Sequence, residues 1–382
     1  MASLLTLNSY LAETKHNITQ DGPKKIVIGN EAADLDSMVS SIVHAYYLAC
    51  KNRGINHYVA PIMPIPREDF KLRPEAVYVF AKAGIQLNDV LFFDEVDFPE
   101  LMKGDTKLVL VDHNKLAVSL ETYGDKVVGI LDHHKDEELY SHAPIKVIEP
   151  VGSTATLVAE ELIATSSDLV DITIAKLLIG TILLDTVNLD TEAGRVTPKD
   201  IRIAGQLLKK FSIEQSEYFE NIQREKFNVT NLTTTDLLRK DYKESNFGTV
   251  SCGIASVLLS VEQWGEKDNR LCQKFAAYAK TRSLDILLAM NAYKNPDFKR
   301  GIVLFCRDAA VHDDVVIFLQ QQGLELRELE MKDQETCTFG KISYFSQGNL
   351  GISRKKLQPM LDHFASDKFC LTTPSEHNQD CQ

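Results

Sequence analysis

Residues 26–37 have the sequence Ile26-Val-Ile-Gly-Asn-Glu-Ala-Ala-Asp-Leu-Asp-Ser37, in which an apolar run leads into a polar turn with two aspartates. The apolar run, with Lys25 before it, predicts a buried strand. Met38 to Leu48 carries apolar residues at helical spacing, which predicts a helix. A strand, an acidic turn and a helix in this order are typical of an α/β sheet whose loops carry the functional residues.

Two further predicted strands end in residues of the same kind. Lys107 to Val111 runs into Asp112-His113-Asn114, and Val127 to Leu131 runs into Asp132-His133-His134. Ligands of open α/β sheets bind outside the carboxyl ends of the strands. We therefore expect these polar side chains to converge at one edge of a sheet.

The first half of the chain alternates short strands with helices. This alternation predicts an α/β N-terminal domain with a mainly parallel sheet flanked by helices. The remaining predicted elements are strands at Tyr58 to Met63 and Leu91 to Phe93, and helices at Glu75 to Ala83, Ala155 to Ala164, Ile172 to Leu184 and Ile201 to Lys210. A charged helical connector is expected at Ser212 to Phe227.

A second, smaller α/β domain is expected from about Asn228. Its predicted elements are a strand at Gly248 to Ile254, a long polar helix at Val261 to Ala279, a hairpin of Ser283 to Ala292 and Gly301 to Cys306 joined through Asn295-Pro296, and a closing helix at Lys355 to Phe364.

Composition excludes several classes of protein. The chain has 382 residues, with 54 acidic and 42 basic side chains, which gives a net charge of −12. Such an acidic chain is not expected to coat nucleic acid or an anionic membrane, because both need clustered positive charge. No segment approaches the ~20 apolar residues of a membrane helix, and Met1 to Gln20 lacks the pattern of a secretory signal. Seven cysteines without a CxxC pair fit reduced thiols, so a cytoplasmic location is expected.

The residue types at the predicted strand ends suit divalent metal ions. In an extended segment, Asp34 and Asp36 would project to the same side. Carboxylates with one or two imidazoles suit Mn²⁺, Mg²⁺ or Co²⁺ better than a thiol-bound structural zinc. Converging carboxylates raise one another's pKa. Two metal ions that share a bridging aspartate would remove this repulsion and hold a water of lowered pKa as the nucleophile.

Each of these residues also has a simpler interpretation. An Asp or Ser that precedes a helix, such as Asp36 or Ser37, is most often an N-cap, and a single Asp-His pair after a strand is usually a solvated turn. The combined pattern favours a metal site over these alternatives, and Asp185, after the apolar run Leu177 to Leu184, adds a further carboxylate. The histidines without partners at ligand spacing are taken as structural or surface residues: His44, His57, His142, His312, His363 and His377.

The combined motifs resemble, in order and spacing, the series of the DHH phosphoesterases: Asp34-x-Asp36-Ser37, Asp112-His113, Asp132-His133-His134 and Asp185-Thr186. The second domain is similar to the DHHA2 type through Ser353-Arg-Lys-Lys356. This subgroup includes manganese-dependent inorganic pyrophosphatases, the yeast-type exopolyphosphatase and the Prune proteins. The resemblance implies a DHH domain at 1–211, a helical linker at 212–227, a DHHA2 domain at 228–371 and a polar tail at 372–382.

One position separates the branches of this subgroup. Pyrophosphatases have His where this chain has Asn30, so the chain looks like the exopolyphosphatase and Prune branch. Exchanging a nitrogen ligand for a harder oxygen should shift metal preference from Mn²⁺ towards Mg²⁺. Vertebrate Prune has Arg where this chain has His134, and the intact Asp-His-His is more like the yeast enzyme.

The resemblance implies two divalent metal ions, Mg²⁺ or Mn²⁺ with Co²⁺ as an option. Asp34 and Asp112 would ligate the first ion, with Asn30 nearby as a weak oxygen ligand or hydrogen-bond donor. The second ion would be ligated by four residues: Asp36, Asp112, His133 and Asp185.

Three neighbouring residues would complete this site. His134 would contact a phosphate oxygen and stabilise charge that develops in the transition state. Asp132 would orient a neighbouring ligand without touching the metal. His113 is a candidate phosphate contact or proton donor.

The family resemblance also implies a role for basic residues of the second domain. Arg354, Lys355 and Lys356 open a predicted helix and would bind substrate phosphate, with Lys243 as a further substrate lysine. The alternative for such a triplet is a solvated basic turn, and for Lys243 an exposed loop lysine.

These features predict a hydrolase that acts on phosphoanhydride bonds. The expected activity is that of an exopolyphosphatase, which releases terminal orthophosphate from short polyphosphate by attack of a metal-activated water. The alternatives are a phosphodiesterase for cyclic nucleotides or short oligonucleotides and a regulatory scaffold. The expected partner is short polyphosphate or another phosphorylated small molecule, and the resemblance adds nucleoside diphosphate kinase as a candidate protein partner.

Overall fold

The computed structural model describes residues 6–51, 58–247, 250–294, 296–331 and 339–369. The chain forms two units, Met1–Asn228 and Val229–Gln382. The first unit is built on five strands: β1 (Lys24–Ile28), β2 (Tyr58–Ile62), β3 (Thr106–Val111), β4 (Val127–Asp132) and β5 (Ile145–Ile148). All neighbouring strands are parallel, and their order in the sheet is β2-β1-β3-β4-β5.

Helices surround this sheet. They are α1 (Leu7–Asn17), α2 (Leu35–Lys51), α3 (Pro74–Ala83), α4 (Phe98–Lys103), α5 (Thr154–Ser166), α6 (Ile172–Asp185), α7 (Pro198–Phe211) and α8 (Gln215–Lys226). The strands are rich in Val, Ile and Leu because both of their faces are covered. Val27 and Val109 belong to the core cluster on one face, and Ile26 and Leu108 to that on the other. The prediction of a parallel α/β domain is therefore confirmed.

The strand order fixes the place of a ligand site. It reverses between β1 and β3, so the loops that leave these two strands diverge and open a crevice at the carboxyl edge. The turn 29–34 follows β1, and Asp112 follows β3. At Gly29, a Cβ would lie 2.9 Å from the backbone oxygen of Ser37, so glycine lets α2 start this close to the strand.

The second unit contains a mixed sheet of six strands. These are β6 (Tyr242–Phe247), β7 (Val250–Val257), β8 (Ile286–Lys294), β9 (Phe298–Cys306), β10 (Leu326–Glu328) and β11 (Lys341–Gln347), in the order β10-β11-β9-β8-β7-β6. Its helices are α9 (Thr234–Lys240), α10 (Val261–Lys267), α11 (Leu271–Thr281), α12 (Ala309–Gln321) and α13 (Arg354–Phe369). β8 and β9 pair antiparallel, as the predicted hairpin requires.

Two predicted elements are wrong. Leu91 to Phe93 is not a strand, since Phe92 makes only an isolated bridge to Met63 and a 3-10 turn begins at Phe93. The long helix from Val261 is broken at 268–270, where the side chain of Asp268 accepts a hydrogen bond from the backbone N–H of Arg270 at 3.1 Å. Asp side chains that bond to nearby backbone favour turns over helix interiors.

The segment predicted as a linker contains α8, which packs on α3 and α6 through buried Tyr218, Phe219 and Ile222.

Two thiols of the second unit, Cys252 and Cys306, are free and buried. Cys272 is disulfide-bonded, which contradicts the expectation of reduced thiols at that position. No helix within the described residues is both long and apolar enough to span a membrane. Residues 370–382, which include the whole predicted tail at 372–382, lie outside the described ones.

Candidate metal centre

The two aspartates that follow β1 lie at the start of α2. Asp34 caps the helix, since its Oδ1 accepts the backbone N–H of Ser37 at 3.1 Å. Asp36 is in the first turn of α2, so the expectation of an extended segment is wrong. Neither Asp36 nor Ser37 is the cap. Helical geometry therefore separates the two side chains: Asp34 is exposed, and Asp36 is buried.

Asp36 is held by the N-terminus of α5. Its Oδ2 accepts the backbone N–H of Thr154 at 2.6 Å, and its Oδ1 accepts that of Ala155 at 2.8 Å. The hydroxyl of Ser40 donates to Oδ1 at 2.9 Å. The first amides of a helix have no partner within the helix and attract negative charge. The carboxylate is thus fixed by backbone from a different part of the chain.

Asp112 follows β3 in a left-handed backbone conformation, with φ of 60°, which Asp adopts more readily than most residues. Its Oδ2 accepts a hydrogen bond from Asn30 Nδ2 at 2.8 Å, and its Oδ1 accepts one from the Thr154 hydroxyl at 3.3 Å. Asn30 Oδ1 accepts the backbone N–H of Ala33 at 3.1 Å. In this arrangement the Asn30 amide acts as a donor that orients Asp112.

His133 presents one free ring nitrogen to the aspartates. Its Nδ1 donates to the backbone oxygen of Val151 at 2.9 Å, so Nε2 carries the lone pair. Nε2 lies 3.4 Å from Asp112 Oδ1 and 4.0 Å from Asp36 Oδ2. A histidine whose second nitrogen is fixed by a backbone carbonyl is typical of a metal ligand.

Asp132 is fully buried and organises the turn that carries both histidines. Its Oδ1 accepts the backbone N–H of His133 at 2.8 Å and the Nδ1–H of His134 at 2.9 Å. Its Oδ2 accepts from Asn114 Nδ2 at 2.5 Å. Burial alone would raise the pKa of Asp132, but the hydrogen bonds from His134 and Asn114 lower it. The bond to Asp132 raises the pKa of His134, whose side chain is 57% exposed.

Asp185 is the last residue of α6. Its Oδ2 is out of contact with solvent and has no hydrogen-bond partner within the described residues. Burial and the charges of Asp36 and Asp34 raise its pKa well above the usual range. An unpaired buried carboxylate oxygen is costly unless a cation or proton satisfies it.

The aspartates at this edge raise one another's pKa. Burial, followed by the charges of Asp36 and Asp34, raises the pKa of Asp112 to about 10. Burial also raises the pKa of Asp36. After burial, the charged groups with the largest effects on these carboxyls are aspartates and histidines. Such a site lacks the positive charge that its carboxylates require.

The residues fit a divalent cation. Ligand atoms of Asp112, His133 and His134 all lie within 4.8 Å of one another. Oxygen and imidazole donors together suit Mn²⁺ and Mg²⁺. We call Asp34, Asp36, Asp112, Asp185 and His133 the carboxylate cluster.

His113 lies beside the cluster and lines a neighbouring cavity. Its Nδ1 donates to Val111 oxygen at 2.9 Å, and burial lowers the pKa of the ring, so the neutral ring presents Nε2 as an acceptor. The predicted roles of His113, a phosphate contact or a proton donor, stay predictions. The cavity has a volume of about 370 Å³ and is also lined by Asn30, Phe93 and Leu116.

The predicted substrate residues of the second unit lie at the start of α13 and on β6. We call Arg354, Lys355 and Lys356 the basic cluster. Arg354 Nη2 lies 2.7 Å from Asp241 Oδ1, and its Nε donates to the hydroxyl of Ser256 at 3.0 Å. Lys355, Lys356 and Lys243 are exposed. The structure thus pairs Arg354 with a carboxylate and leaves the lysine side chains in solvent.

Comparison with known proteins identifies both units. A model of the DHH family, N-terminal domain, matches residues 24–182, and a model of the DHHA2 domain matches residues 220–364. Human "Exopolyphosphatase PRUNE1" is 32% identical over 368 residues, which cover 95% of this chain and 80% of the relative. The chain belongs to the DHH family with a DHHA2 domain. The family membership expected from the motifs is confirmed.

Other relatives of this DHH–DHHA2 protein have related names. A "Putative exopolyphosphatase" of Schizosaccharomyces pombe is 33% identical and covers 88% of this chain and 89% of its own length. A "Manganese-dependent inorganic pyrophosphatase" of Methanocaldococcus jannaschii is 26% identical, covering 69% of this chain and 81% of the relative. The crystal structure of a putative family II inorganic pyrophosphatase from Methanococcus jannaschii has a TM-score of 0.51 and 22% identity, covering 89% of this chain and 99% of the other. That structural likeness supports the shared fold.

Sequence reasoning missed several residues that shape the DHH site. Asn114 is buried and bonds to Asp132, and the backbone of Val151 and Thr154 holds His133 and Asp36. Asn114 follows a recognised Asp-His pair directly, which was a usable signal. The backbone contacts have no such signal, because any side chain at those positions could provide them.

Proposed function

We propose that this protein is a metal-dependent exopolyphosphatase, a hydrolase that releases terminal orthophosphate from short inorganic polyphosphate. The observation that carries this proposal is the carboxylate cluster, in which buried aspartates and His133 converge and Asp185 keeps an unpaired buried oxygen. The human and S. pombe relatives, both named exopolyphosphatases, support the same substrate class.

The carboxylate cluster, with Asn30 beside it, would hold two divalent ions, Mg²⁺ or Mn²⁺, and its oxygen-rich donor set would also accept Co²⁺. Asp112 would bridge the ions. When bound, they supply positive charge to the carboxylates, polarise the phosphoryl group and lower the pKa of the attacking water.

The protein's own residues position these groups. Asn30 donates to Asp112 and fixes the orientation of that carboxylate. The Val151 carbonyl holds His133 with Nε2 towards the cluster. Asp132 accepts a hydrogen bond from His134 Nδ1 and raises the pKa of the ring, and the protonated ring can donate from Nε2 to a phosphoryl oxygen as its negative charge grows. His113, neutral and accepting at Nε2, would receive a hydrogen bond from substrate or water.

The basic cluster and Lys243 would bind phosphate. Arg354 already holds one anion, the carboxylate of Asp241 at 2.7 Å. A phosphate could replace that carboxylate and use the guanidinium bidentately. The exposed lysines would act as point charges along a phosphate chain.

Some earlier expectations stay predictions. These are the division into 1–211, 212–227, 228–371 and 372–382, the cytoplasmic location, and binding of nucleoside diphosphate kinase. The expected lack of a nucleic-acid-coating surface rests on the net charge of −12.

One assay tests the proposed activity. Purified protein with Mg²⁺ or Mn²⁺ is given tripolyphosphate, longer polyphosphate, pyrophosphate and cyclic AMP. We expect phosphate release from tripolyphosphate and its loss in Asp112→Ala. Intact metal binding with no turnover of any of these compounds would instead indicate a regulatory scaffold.

A phosphodiesterase is the second candidate, and the cavity beside His113 favours it. The ring of Phe93 lines this cavity and stacks on Phe98 at 5.0 Å, so an organic group could lie against an aromatic face next to the site. On this hypothesis Phe93→Ala raises KM for cyclic AMP and leaves tripolyphosphate hydrolysis unchanged. Absence of cyclic AMP turnover in the unaltered protein removes this candidate.

A further inference from the structure

Asp200 is a fully buried carboxylate in the first unit that lies outside the carboxylate cluster. It accepts four hydrogen bonds. Oδ2 accepts from Thr197 N and Thr197 Oγ1, both at 2.7 Å, and from Gly152 N at 2.9 Å. Oδ1 accepts from the hydroxyl of Thr156 at 2.5 Å. The bonds to Thr197 form the capping box of α7, but the bonds to Gly152 and Thr156 reach a different segment.

That segment, residues 151–156, carries the backbone groups that hold two members of the carboxylate cluster. Val151 oxygen accepts from His133 Nδ1 at 2.9 Å. Thr154 N and Ala155 N donate to Asp36 at 2.6 and 2.8 Å. Asp200 therefore fixes the segment at 152 and at 156, on either side of the amides that hold Asp36.

Close packing makes this segment sensitive to displacement. A Cβ at Gly152 would lie 2.5 Å from Arg195 oxygen and 2.5 Å from Thr186 Cγ2. It would also lie 3.0 Å from Asp200 Oδ2. Thr186 directly follows Asp185, so the segment packs against the chain that carries a third member of the cluster. A shift at residue 152 would disturb several proposed ligands together.

We propose that Asp200 is a positioning residue for the metal centre, which it serves by fixing residues 151–156 and, through them, His133 and Asp36. This inference rests on the proposed function, since it assumes that the carboxylate cluster binds metal. Asp200 touches neither the cluster nor substrate in this role. Partners that orient metal ligands typically contribute about 10- to 100-fold to metal affinity.

Asp200→Asn tests the proposal. Asn has nearly the same volume, but its single side-chain oxygen cannot accept all four hydrogen bonds. We expect the Kd for Mn²⁺, measured by calorimetry on the folded full-length protein, to rise about 10-fold or more. Excess Mn²⁺ should restore phosphate release, which a general loss of folding would not allow.

Asp236→Asn is the matched control. Asp236 is also buried and forms the same capping box with Thr233, at 3.0 Å to its N–H and 2.8 Å to its hydroxyl, but in the second unit. We expect this variant to lower Tm and leave the Mn²⁺ Kd unchanged. Gly152→Ala disturbs the same contact between Asp200 and residues 151–156 from the other side, and it should also weaken Mn²⁺ binding. This second variant keeps the proposal testable if Asp200→Asn fails to fold.

The outcomes separate this proposal from the proposed function. If unaltered protein binds Mn²⁺ and both Asp200→Asn and Gly152→Ala bind it equally well, Asp200 is only a structural cap and the positioning role is wrong. If the folded, unaltered protein does not bind Mn²⁺ at all, the proposal of a metal centre is wrong, and so is the positioning role of Asp200, which assumes it. Weaker binding confined to the Asp200 and Gly152 variants supports the proposal.

Discussion

The carboxylate cluster of the first unit and the basic cluster of the second differ in how their side chains are held. Asp36 and Asp112 are at most 3% exposed and accept hydrogen bonds from other segments of the chain. Lys355 and Lys356 are exposed, and Arg354 is held by Asp241 and Ser256. One region is fixed by folding, whereas the other keeps most of its rotamer freedom.

This difference matches two kinds of task. Chemistry at a metal centre needs ligands fixed within a narrow geometry, which short aspartates on packed backbone provide. Binding a phosphate chain needs charge that can follow different lengths, and long flexible side chains provide it at a cost in side-chain entropy. We therefore expect changes in the first region to affect kcat and metal binding, and changes in the second to affect KM.

Removing a member of the carboxylate cluster should have the largest effect. Asp112→Ala is expected to lower kcat for tripolyphosphate by about 10³-fold, because the metal contributes several kcal/mol of transition-state stabilisation. Phosphate release measures it. Asp171→Ala is the control, since Asp171 caps α6 by accepting the backbone N–H of Ile174 at 2.9 Å and its loss should affect only stability, by about 1 kcal/mol. A fall in kcat of less than tenfold for Asp112→Ala would contradict the role of the carboxylate cluster as a rigid metal site.

Removing the arginine of the basic cluster should have a smaller and different effect. Arg354→Ala is expected to raise KM for tripolyphosphate by roughly 10-fold or more with kcat nearly unchanged, since a hydrogen bond to a charged group contributes about 1.5–3 kcal/mol. Steady-state kinetics separate the two constants. Asp241→Asn breaks the ion pair but keeps the cation, so it should lower KM or leave it unchanged. A rise in KM in both variants would show that the ion pair itself is what matters.

The pH dependence of stability should also distinguish the two units. The pKa of Asp112 is raised to about 10, so the folded metal-free protein holds this proton more tightly than the unfolded chain, whose aspartates titrate near 4. Stability without metal should therefore fall as pH rises from about 4 towards 10, and metal should reverse the loss. Thermal melting by far-UV circular dichroism, with and without Mn²⁺, measures the effect.

The second unit provides an internal control for that experiment. Trp264, the single tryptophan of the chain, is fully buried in this unit and donates to the Thr234 hydroxyl at 3.1 Å. We expect its fluorescence to report a transition that does not depend on Mn²⁺. A Trp264 transition that shifts with Mn²⁺ as strongly as the circular dichroism would mean that the two units unfold together.

The smallest expected effect concerns metal preference. Asn30→His exchanges an amide donor to Asp112 for an imidazole, which should shift relative activity several-fold from Mg²⁺ towards Mn²⁺. Activity with each metal at saturation measures the ratio. Equal activity with both metals in the unaltered protein, and no change on substitution, would contradict the role of this position.

Much of the fold could be predicted because strands ending in Asp and His have a strong local pattern. Ile26–Ile28, Lys107–Val111 and Val127–Leu131 are buried strands in the structure, and parallel pairing brings their ends together. Leu91 to Phe93 has the same apolar character but makes only one bridge. A short apolar run shows burial without showing which partner it pairs with.

The details of the site were less predictable from the sequence. The sequence predicts Asp34 and Asp36 as site residues, but the exposure of one and the burial of the other depend on where α2 begins, and helix boundaries are the least certain part of any pattern. The contacts of Thr154 and Asp200 join chain segments more than 40 residues apart, as between Asp200 and Gly152, and that of Val151 joins segments 18 residues apart. No local periodicity encodes such contacts.

The close approach at Gly29 has a consequence for how such proteins can evolve. A side chain at residue 29 would displace the start of α2, so selection should keep glycine there whatever the substrate. Its neighbour Asn30 instead contacts the proposed site through its side chain, which donates to Asp112 and accepts the backbone N–H of Ala33. A position that only glycine fits thus lies next to one whose side chain contacts the proposed metal site, so a single substitution at Asn30 could change metal preference without moving α2.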